Sequence, residues 1–296
     1  MVKGARYTNK PFFDEGKVII LTGASSGIGK AVCLALTKYK PKLAIIARRK
    51  KKLMQTANIL RKRKIDVLPI VGDIRDRDSR EKLVDFTLRK FGRIDVLINN
   101  AGLGKSNLIL DQPEYEIDQL IETNLLSLIK MTQLVLPIMK QQKSGLIVNM
   151  SSTLALLPVY PFAVYCATKS AVRVFSDSIR QELGNYGISV STVLPGPYNT
   201  EFNKVSGLDT NTIPSNQVDN LAKDIAKLII KPKKNLIRPK SYAFLIWITS
   251  KFESFGNFIS YQIAKMIDKG RIIKTTRPEE KQFVTEEVVL QTLEKR

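Results

Sequence analysis

The chain has 296 residues, 44% of them hydrophobic and 25% charged, the composition of a folded globular protein rather than a disordered or fibrous one. It carries 48 Lys and Arg against 27 Asp and Glu, a net charge of +21, which points either to an acidic partner or to a Lys-rich solvated surface. It has no histidine and only two cysteines, Cys33 and Cys166, which excludes a Ser–His–Asp triad, a His–zinc hydrolase and a disulfide framework, and no metal site is expected.

The first apolar run is Lys17–Leu21, continuous rather than alternating, as in a strand buried on both faces. A glycine-rich turn and a helix over Lys30–Tyr39 follow. Then come a strand at Lys42–Ala47, a basic helix at Arg48–Lys64, a strand at Asp66–Val71, a helix at Asp78–Phe91 and a strand at Ile94–Ile98. The second half continues with a long helix over Tyr115–Lys140, a strand at Gly145–Met150, a helix over Pro161–Tyr186 and a strand at Gly187–Leu194. This alternation predicts an α/β fold, a doubly wound parallel sheet of the Rossmann type with helices on both faces. Beyond Thr200 the pattern loosens: a mobile loop is expected over Asn199–Gln217, a helix over Val218–Ile230 and a break at Lys231-Pro-Lys-Lys. The expected division is a dinucleotide-binding domain at 1–235 and a basic helical extension at 236–296.

Three groups of residues carry chemistry. Thr22-Gly23-Ala24-Ser25-Ser26-Gly27-Ile28-Gly29 lies between the first strand and its helix, where a glycine turn lets backbone approach a pyrophosphate and a helix N-terminus offers free N–H groups. Tyr165 and Lys169 stand four apart on one helix face, so an ammonium beside the phenol is expected to favour the phenolate and lower its pKa. That pair gives a His-free enzyme its acid or base. Ser152, at the end of the Val-Asn-Met-Ser-Ser strand segment, is placed to hydrogen-bond a substrate carbonyl.

With Asn99-Asn100-Ala101-Gly102 after the fourth strand, Asn124 in Thr-Asn-Leu-Leu, and Pro195-Gly196 followed by Thr200, these motifs stand in order over roughly Lys17–Ile230. The set resembles the short-chain dehydrogenase/reductase family. The resemblance implies a catalytic tetrad of Asn124, Ser152, Tyr165 and Lys169, with Lys169 also on the nicotinamide ribose and Asn124 holding a proton-relaying water. It implies cofactor contacts from Gly23, Ser25, Ser26, Gly27, Ile28 and Gly29, from Asp73 (on the adenine) and Ile74, from Asn99, Ala101 and Gly102, and from Pro195, Gly196 and Thr200. The implied reaction is the interconversion of a carbonyl and a secondary alcohol, and the implied assembly is a homo-oligomer, dimer or tetramer.

An enzyme selective for NAD carries an acid at the end of the second strand for the ribose 2′-OH. Here that place is Ala47, followed by Arg48 and Arg49, whose guanidinium groups suit a 2′-phosphate, with Ser26 assisting; NADP(H) is the expected cofactor. Lys38–Lys64 holds twelve basic residues and no acid, but no aromatic platform accompanies it, and no nucleic acid is expected as a partner. A non-catalytic NADP-binding regulator, or a basic nucleic-acid-binding protein on the same fold, stands as the alternative.

In the extension, Phe244, Ile248, Phe252, Phe255, Ile259, Ile263 and Met266 recur at three and four, one apolar helical stripe that Gly256 is expected to kink or divide. Lys240, Lys251, Lys265, Lys269, Arg271 and Lys274 flank it, so 241–274 is expected to rest on an anionic membrane surface, to cover the substrate cleft or to meet another subunit. The apolar tail favours a lipid-like substrate of keto-acyl, keto-sphingoid or steroid type. No apolar run reaches the ~18 residues of a spanning helix, and Met1–Gly16 has no signal-peptide pattern, so the expected location is cytoplasmic or peripheral on a membrane.

Overall fold

The computed structural model describes residue 12 and residues 14–206, 216–249 and 251–269; most of the N-terminal sixteen residues, residues 207–215 of the expected loop, and Arg271 and Lys274 of the basic stripe lie outside the described residues. Seven parallel strands form one sheet, β1 (Val18–Thr22), β2 (Lys42–Ala47), β3 (Val67–Val71), β4 (Val96–Asn99), β5 (Gly145–Met150), β6 (Ile188–Pro195) and β7 (Asn235–Arg238), in the order β3-β2-β1-β4-β5-β6-β7. Because the chain runs outward from β1 to β3 and returns to place β4 beside β1, a crevice opens at the carboxyl ends of β1 and β4.

The continuous apolar runs are explained by burial on both faces. Ile19 and Leu21 join one core with α1 (Gly27–Leu36), α2 (Lys50–Lys62) and α8 (Val218–Ile230); Ile20 points the other way, into a core with α3 (Arg77–Phe91), α5 (Ser127–Gln142) and α6 (Ala163–Leu183). A third, smaller cluster gathers Leu120 of α4 (Glu114–Ile121), Phe162, Tyr165 and Cys166 around α6, and Ala264 and Ile267 of α10 (Glu253–Lys269). Cys33 and Cys166 are both buried free thiols, and burial pushes the Cys33 thiol up to about 12.

Four expectations change. The helix expected from Lys30 starts at Gly27, so the glycine turn is itself the first turn of α1. The helix expected at Arg48 starts at Lys50, leaving Arg48 and Arg49 in the turn at the sheet edge. The long helix expected over Tyr115–Lys140 is interrupted by a π-helical turn at Glu122–Leu126, which carries Asn124. The strand β7, hidden behind Lys231-Pro-Lys-Lys, pairs with β6 from Thr192↔Asn235 to Pro195↔Arg238 and so crosses the expected boundary at residue 235. Four residues flanked by lysines and prolines are too short to show a period.

The extension also differs from one stripe. It forms α9 (Lys240–Thr249) and α10, and the break falls between Thr249 and Glu253. Gly256 lies inside α10, where it packs over the end of α9: a Cβ there would stand 3.1 Å from the Thr249 carbonyl. The break shifts the helical phase, so the inward face is Ile246, Thr249, Ala264 and Ile267, while Phe244, Phe252 and Phe255 of the expected stripe face outward.

Candidate active site

A cavity of about 630 Å³ occupies the crevice, lined by the residues that follow β1, β2, β3, β4, β5 and β6 and closed by α7 (Glu201–Val205), Tyr242 and α10. One end is the glycine turn. Gly23 has φ +76°, and a Cβ on it would stand 2.9 Å from the Ala101 Cα; a Cβ on Gly29 would stand 2.3 Å from the Gly23 carbonyl oxygen. Only glycines allow the turn, the start of α1 and the β4 loop to meet this closely. Thr22 Oγ1 accepts from the amides of Asn100 (3.0 Å) and Ala101 (2.9 Å), and Asn100 Nδ2 donates to the Thr22 carbonyl (2.9 Å), stitching the two loops together.

The first turn of α1 has neither a capping side chain nor an acidic residue. Its N–H groups and partial positive charge therefore face the cavity where Ser25, Ser26, Gly27, Ile28 and Gly29 line it, a cradle that fits a pyrophosphate. Past it, Arg49 Nη2 donates to Ser25 Oγ (3.0 Å) and to Ser26 Oγ, and Arg49 Nη1 meets Glu201 Oε2 at 2.6 Å. Arg48 is largely exposed, 3.7 Å from Asp73 Oδ2. Burial works against the Asp73 carboxylate, but hydrogen bonds from Arg75 outweigh it and hold its carboxyl below the usual range.

At the other end, Tyr165 is buried on α6. Burial pushes its phenol up, Ser152 opposing this by a hydrogen bond, so the phenol keeps its proton at neutral pH. This overturns the expectation that Lys169 lowers it. Lys169 Nζ lies 5.7 Å from the Tyr165 ring centroid and donates to the Met150 carbonyl (3.0 Å), and its own burial lowers its pKa to about 8. A charge that is itself disfavoured by desolvation does little for its neighbour.

Asn124 is buried and does not line the cavity. The π turn carries its amide to Leu103, where Oδ1 accepts from the amide (2.9 Å) and Nδ2 donates to the carbonyl (2.9 Å), with Thr168 Oγ1 at 3.2 Å. It clamps the β4 loop beside Gly102, whose missing Cβ leaves room for both Asn124 and Lys169. Asn99 also lies off the lining: its amide donates to Thr132 and Asn149 within the sheet, and Asn100 takes the loop. The remaining expected residues, Ser152, Tyr165 and Lys169 with Gly23, Ser25–Gly29, Arg48, Arg49, Asp73, Ile74, Ala101, Gly102, Pro195, Gly196 and Thr200, all line one cavity.

The far wall was legible only in part: covering the substrate cleft was one alternative for the extension, and Ile263 and Met266 of its stripe do line the cavity. Phe202 packs against the Tyr165 ring, centroids 5.8 Å apart and planes tilted by 55°, and closes over Gly104, and Leu157, Phe162, Ile263, Met266 and Ile267 complete an apolar lining. Leu157, Phe162, Phe202 and Ile267 carried no such signal, because they come from the segment leading into α6, from α7 inside the expected loop and from α10, far apart in sequence.

A parallel sheet thus carries a glycine-turn phosphate cradle and a buried Tyr–Lys–Ser cluster at its switch point. The chain belongs to the short chain dehydrogenase family, whose family model matches residues 17–211. Human "Dehydrogenase/reductase SDR family member 7" is 38% identical over 209 residues, 67% of this chain but 61% of that protein, so the chain matches less than two thirds of that relative's length. Among solved structures, a short-chain dehydrogenase from Sphingobium yanoikuyae in complex with NADPH has a TM-score of 0.72 at 29% identity, covering 80% of this chain and 95% of its own. A 3-ketoacyl-(acyl-carrier-protein) reductase from Brucella melitensis complexed with NADH has a TM-score of 0.70 at 27% identity, covering 76% and 97%.

Proposed function

We propose that the protein is an NADP(H)-dependent reductase that converts an apolar, lipid-like ketone to a secondary alcohol. The observation that carries this is one cavity holding a protonated, buried phenol at an apolar end and, at the other, two guanidinium groups, Arg48 and Arg49, directly after β2, whose last residue is Ala47 rather than an acid. Bound NADPH supplies the hydride that reduces the carbonyl carbon. The chain does the rest. The N-terminal turn of α1 binds the pyrophosphate, and Arg48, Arg49 and Ser26 receive the 2′-phosphate. Lys169 binds the ribose hydroxyls. Ser152 donates to the carbonyl oxygen and orients it, and the Tyr165 hydroxyl gives its proton to that oxygen as the alcohol forms. The phenolate left behind is reprotonated from solvent past Lys169, while Asn124, off the cavity lining, holds the β4 loop in place. A phenol held protonated by burial is in the state that reduction needs at its start. Leu157, Phe162, Phe202 and Ile267 exclude water and select an apolar substrate of keto-acyl, keto-sphingoid or steroid type.

Titration of NADPH and NADH against the wild type and Arg48→Glu tests the cofactor reading. NADPH is expected to bind the wild type better, and the variant to lose that preference. Equal binding of the two by the wild type overturns it.

The outer face of α9 and α10 rests on an anionic lipid surface. Support comes from Phe244, Trp247, Phe252, Phe258 and Tyr261, all at least half exposed, with Lys240, Lys251 and Lys265 exposed alongside. No helix among the described residues is long and apolar enough to cross a membrane. Sedimentation with vesicles of anionic lipid tests this in the full chain. A Phe244→Asp/Trp247→Asp/Phe252→Asp triple variant is expected to stay in the supernatant. Equal sedimentation of wild type and variant removes the proposal. The chain assembles as a dimer or tetramer, supported by the exposed Ile121, Leu126 and Val174 around α4 and α6, and sedimentation velocity tests it.

A further inference from the structure

The short helix α7 sits across the cavity and touches both ends of it. Thr200 packs over Gly27, its Cβ 3.4 Å from where a Cβ of Gly27 would lie. Glu201 reaches over the glycine turn to Arg49 Nη1 at 2.6 Å and to Lys52 Nζ. Phe202, the next residue, packs on the Tyr165 ring. The Arg49 guanidinium is thus engaged at both prongs: Nη1 is on the Glu201 carboxylate, Nη2 on the Ser25 and Ser26 hydroxyls of the glycine turn.

An arginine fork shared between a carboxylate and two hydroxyls, with a lysine beside it, is also the donor set that suits a phosphate monoester. The lysine and arginine hold the Glu201 carboxyl down at about 2, so it is ionised at every working pH. A 2′-phosphate carries about −1.5 to −2 charge at neutral pH. It and Glu201 cannot both occupy the same face of Arg49 without like-charge repulsion.

We infer that Glu201 is a built-in competitor for the cofactor's 2′-phosphate, and that displacing it releases α7 from the glycine-turn end of the cavity. The inference rests on the NADP(H) reading above. It makes Glu201 a specificity-determining residue: its carboxylate weakens binding of 2′-phosphorylated nucleotides and leaves nucleotides with a free 2′-hydroxyl nearly untouched. It also couples the two ends of the cavity, because the segment that lets go of Arg49 is the one that carries Phe202 over Tyr165. Lys52, outside the expected phosphate ligands, becomes available as a third cation once Glu201 leaves.

The test uses 2′-AMP and 5′-AMP as probes in calorimetric titrations of the full chain, which isolates the phosphate from the nicotinamide. Glu201→Gln is expected to bind 2′-AMP about two- to fivefold more tightly, the range an exposed ion pair controls. Its affinity for 5′-AMP is expected to change less than about twofold. Unchanged or weaker 2′-AMP binding by the variant, with a wild type that still prefers 2′-AMP, overturns the competitor and leaves the cofactor reading standing. A wild type that binds the two probes equally overturns the cofactor reading and this inference with it. Hydrogen exchange in the wild type provides a second readout independent of any variant. The amides of residues 201–206 are expected to exchange faster with saturating 2′-AMP than with 5′-AMP, and equal exchange overturns the release of α7.

Discussion

At the glycine-turn end of the cavity, nearly every lining residue stands within a few positions of a strand terminus: Gly23–Gly29 after β1, Arg48 and Arg49 after β2, Asp73 and Ile74 after β3, Ala101 and Gly102 after β4. At the opposite end, the wall comes from α7, Tyr242 and α10, which reach the site only by packing across it. The first end is held by backbone geometry and short polar stitches, as at Thr22 and Asn100; the second is held by side-chain contact, as between Phe202 and Tyr165. Precision of position is thus concentrated where phosphate must be met by N–H groups, and adaptable apolar surface where a substrate must be selected.

Substitutions can break this contrast. The largest effect belongs to Tyr165→Phe, which leaves the cavity shape intact but removes the proton: ketone reduction is expected to fall by about 10²- to 10⁴-fold. NADPH affinity, measured by fluorescence titration, is expected to stay within about twofold. A variant that keeps its turnover removes Tyr165 as the acid. Ile267→Ala opens the apolar wall and is expected to cost about 2–4 kcal/mol in urea unfolding. Phe252→Ser, on the same helix pair but facing outward, is expected to change stability by less than about 0.5 kcal/mol. If the two variants cost the same, the assignment of inward and outward faces fails.

Gly29→Ala attacks the glycine-turn end. Its Cβ would stand 2.3 Å from a backbone oxygen, and overpacking of this kind is expected to cost about 1–3 kcal/mol. NADPH binding should weaken with it.

The stability of the tetrad itself depends on pH. Lys169 gives up its proton near 8 when folded and near 10.5 when unfolded, so between these values the unfolded chain holds more protons and wild-type stability rises with pH. Above about 10 the raised Tyr165 pKa acts in the opposite sense, because the unfolded phenol ionises while the folded one does not. Between pH 8 and 10 the wild type is expected to gain about 2 kcal/mol over Lys169→Met in paired unfolding curves. Parallel curves would mean that Lys169 is charged in the folded protein. The smallest expected effect is that of Cys166→Ala on activity, less than about twofold, since the thiol faces Val159 and the third core cluster.

Much of this protein was legible from the chain alone. Strands β1 to β5 are dominated by apolar runs because a parallel sheet covered on both faces leaves little room for polar side chains, whereas β6 interleaves Ser189, Ser191 and Thr192 with its apolar residues. The glycine turn was legible because its conformations and close approaches exclude any other residue, and the absence of histidine forced the chemistry onto Tyr165, Lys169 and Ser152. What the chain alone left undecided rests on long-range packing. The strand β7 is defined by its pairing with β6, not by any period of its own. The π turn that swings Asn124 onto Leu103 has no sequence signature, and neither has the break that turns Phe244 and Phe252 outward. The direction of the Tyr165 shift is likewise tertiary: spacing alone sets the phenol and the ammonium side by side, but which charge survives depends on how much water the folded core removes from each.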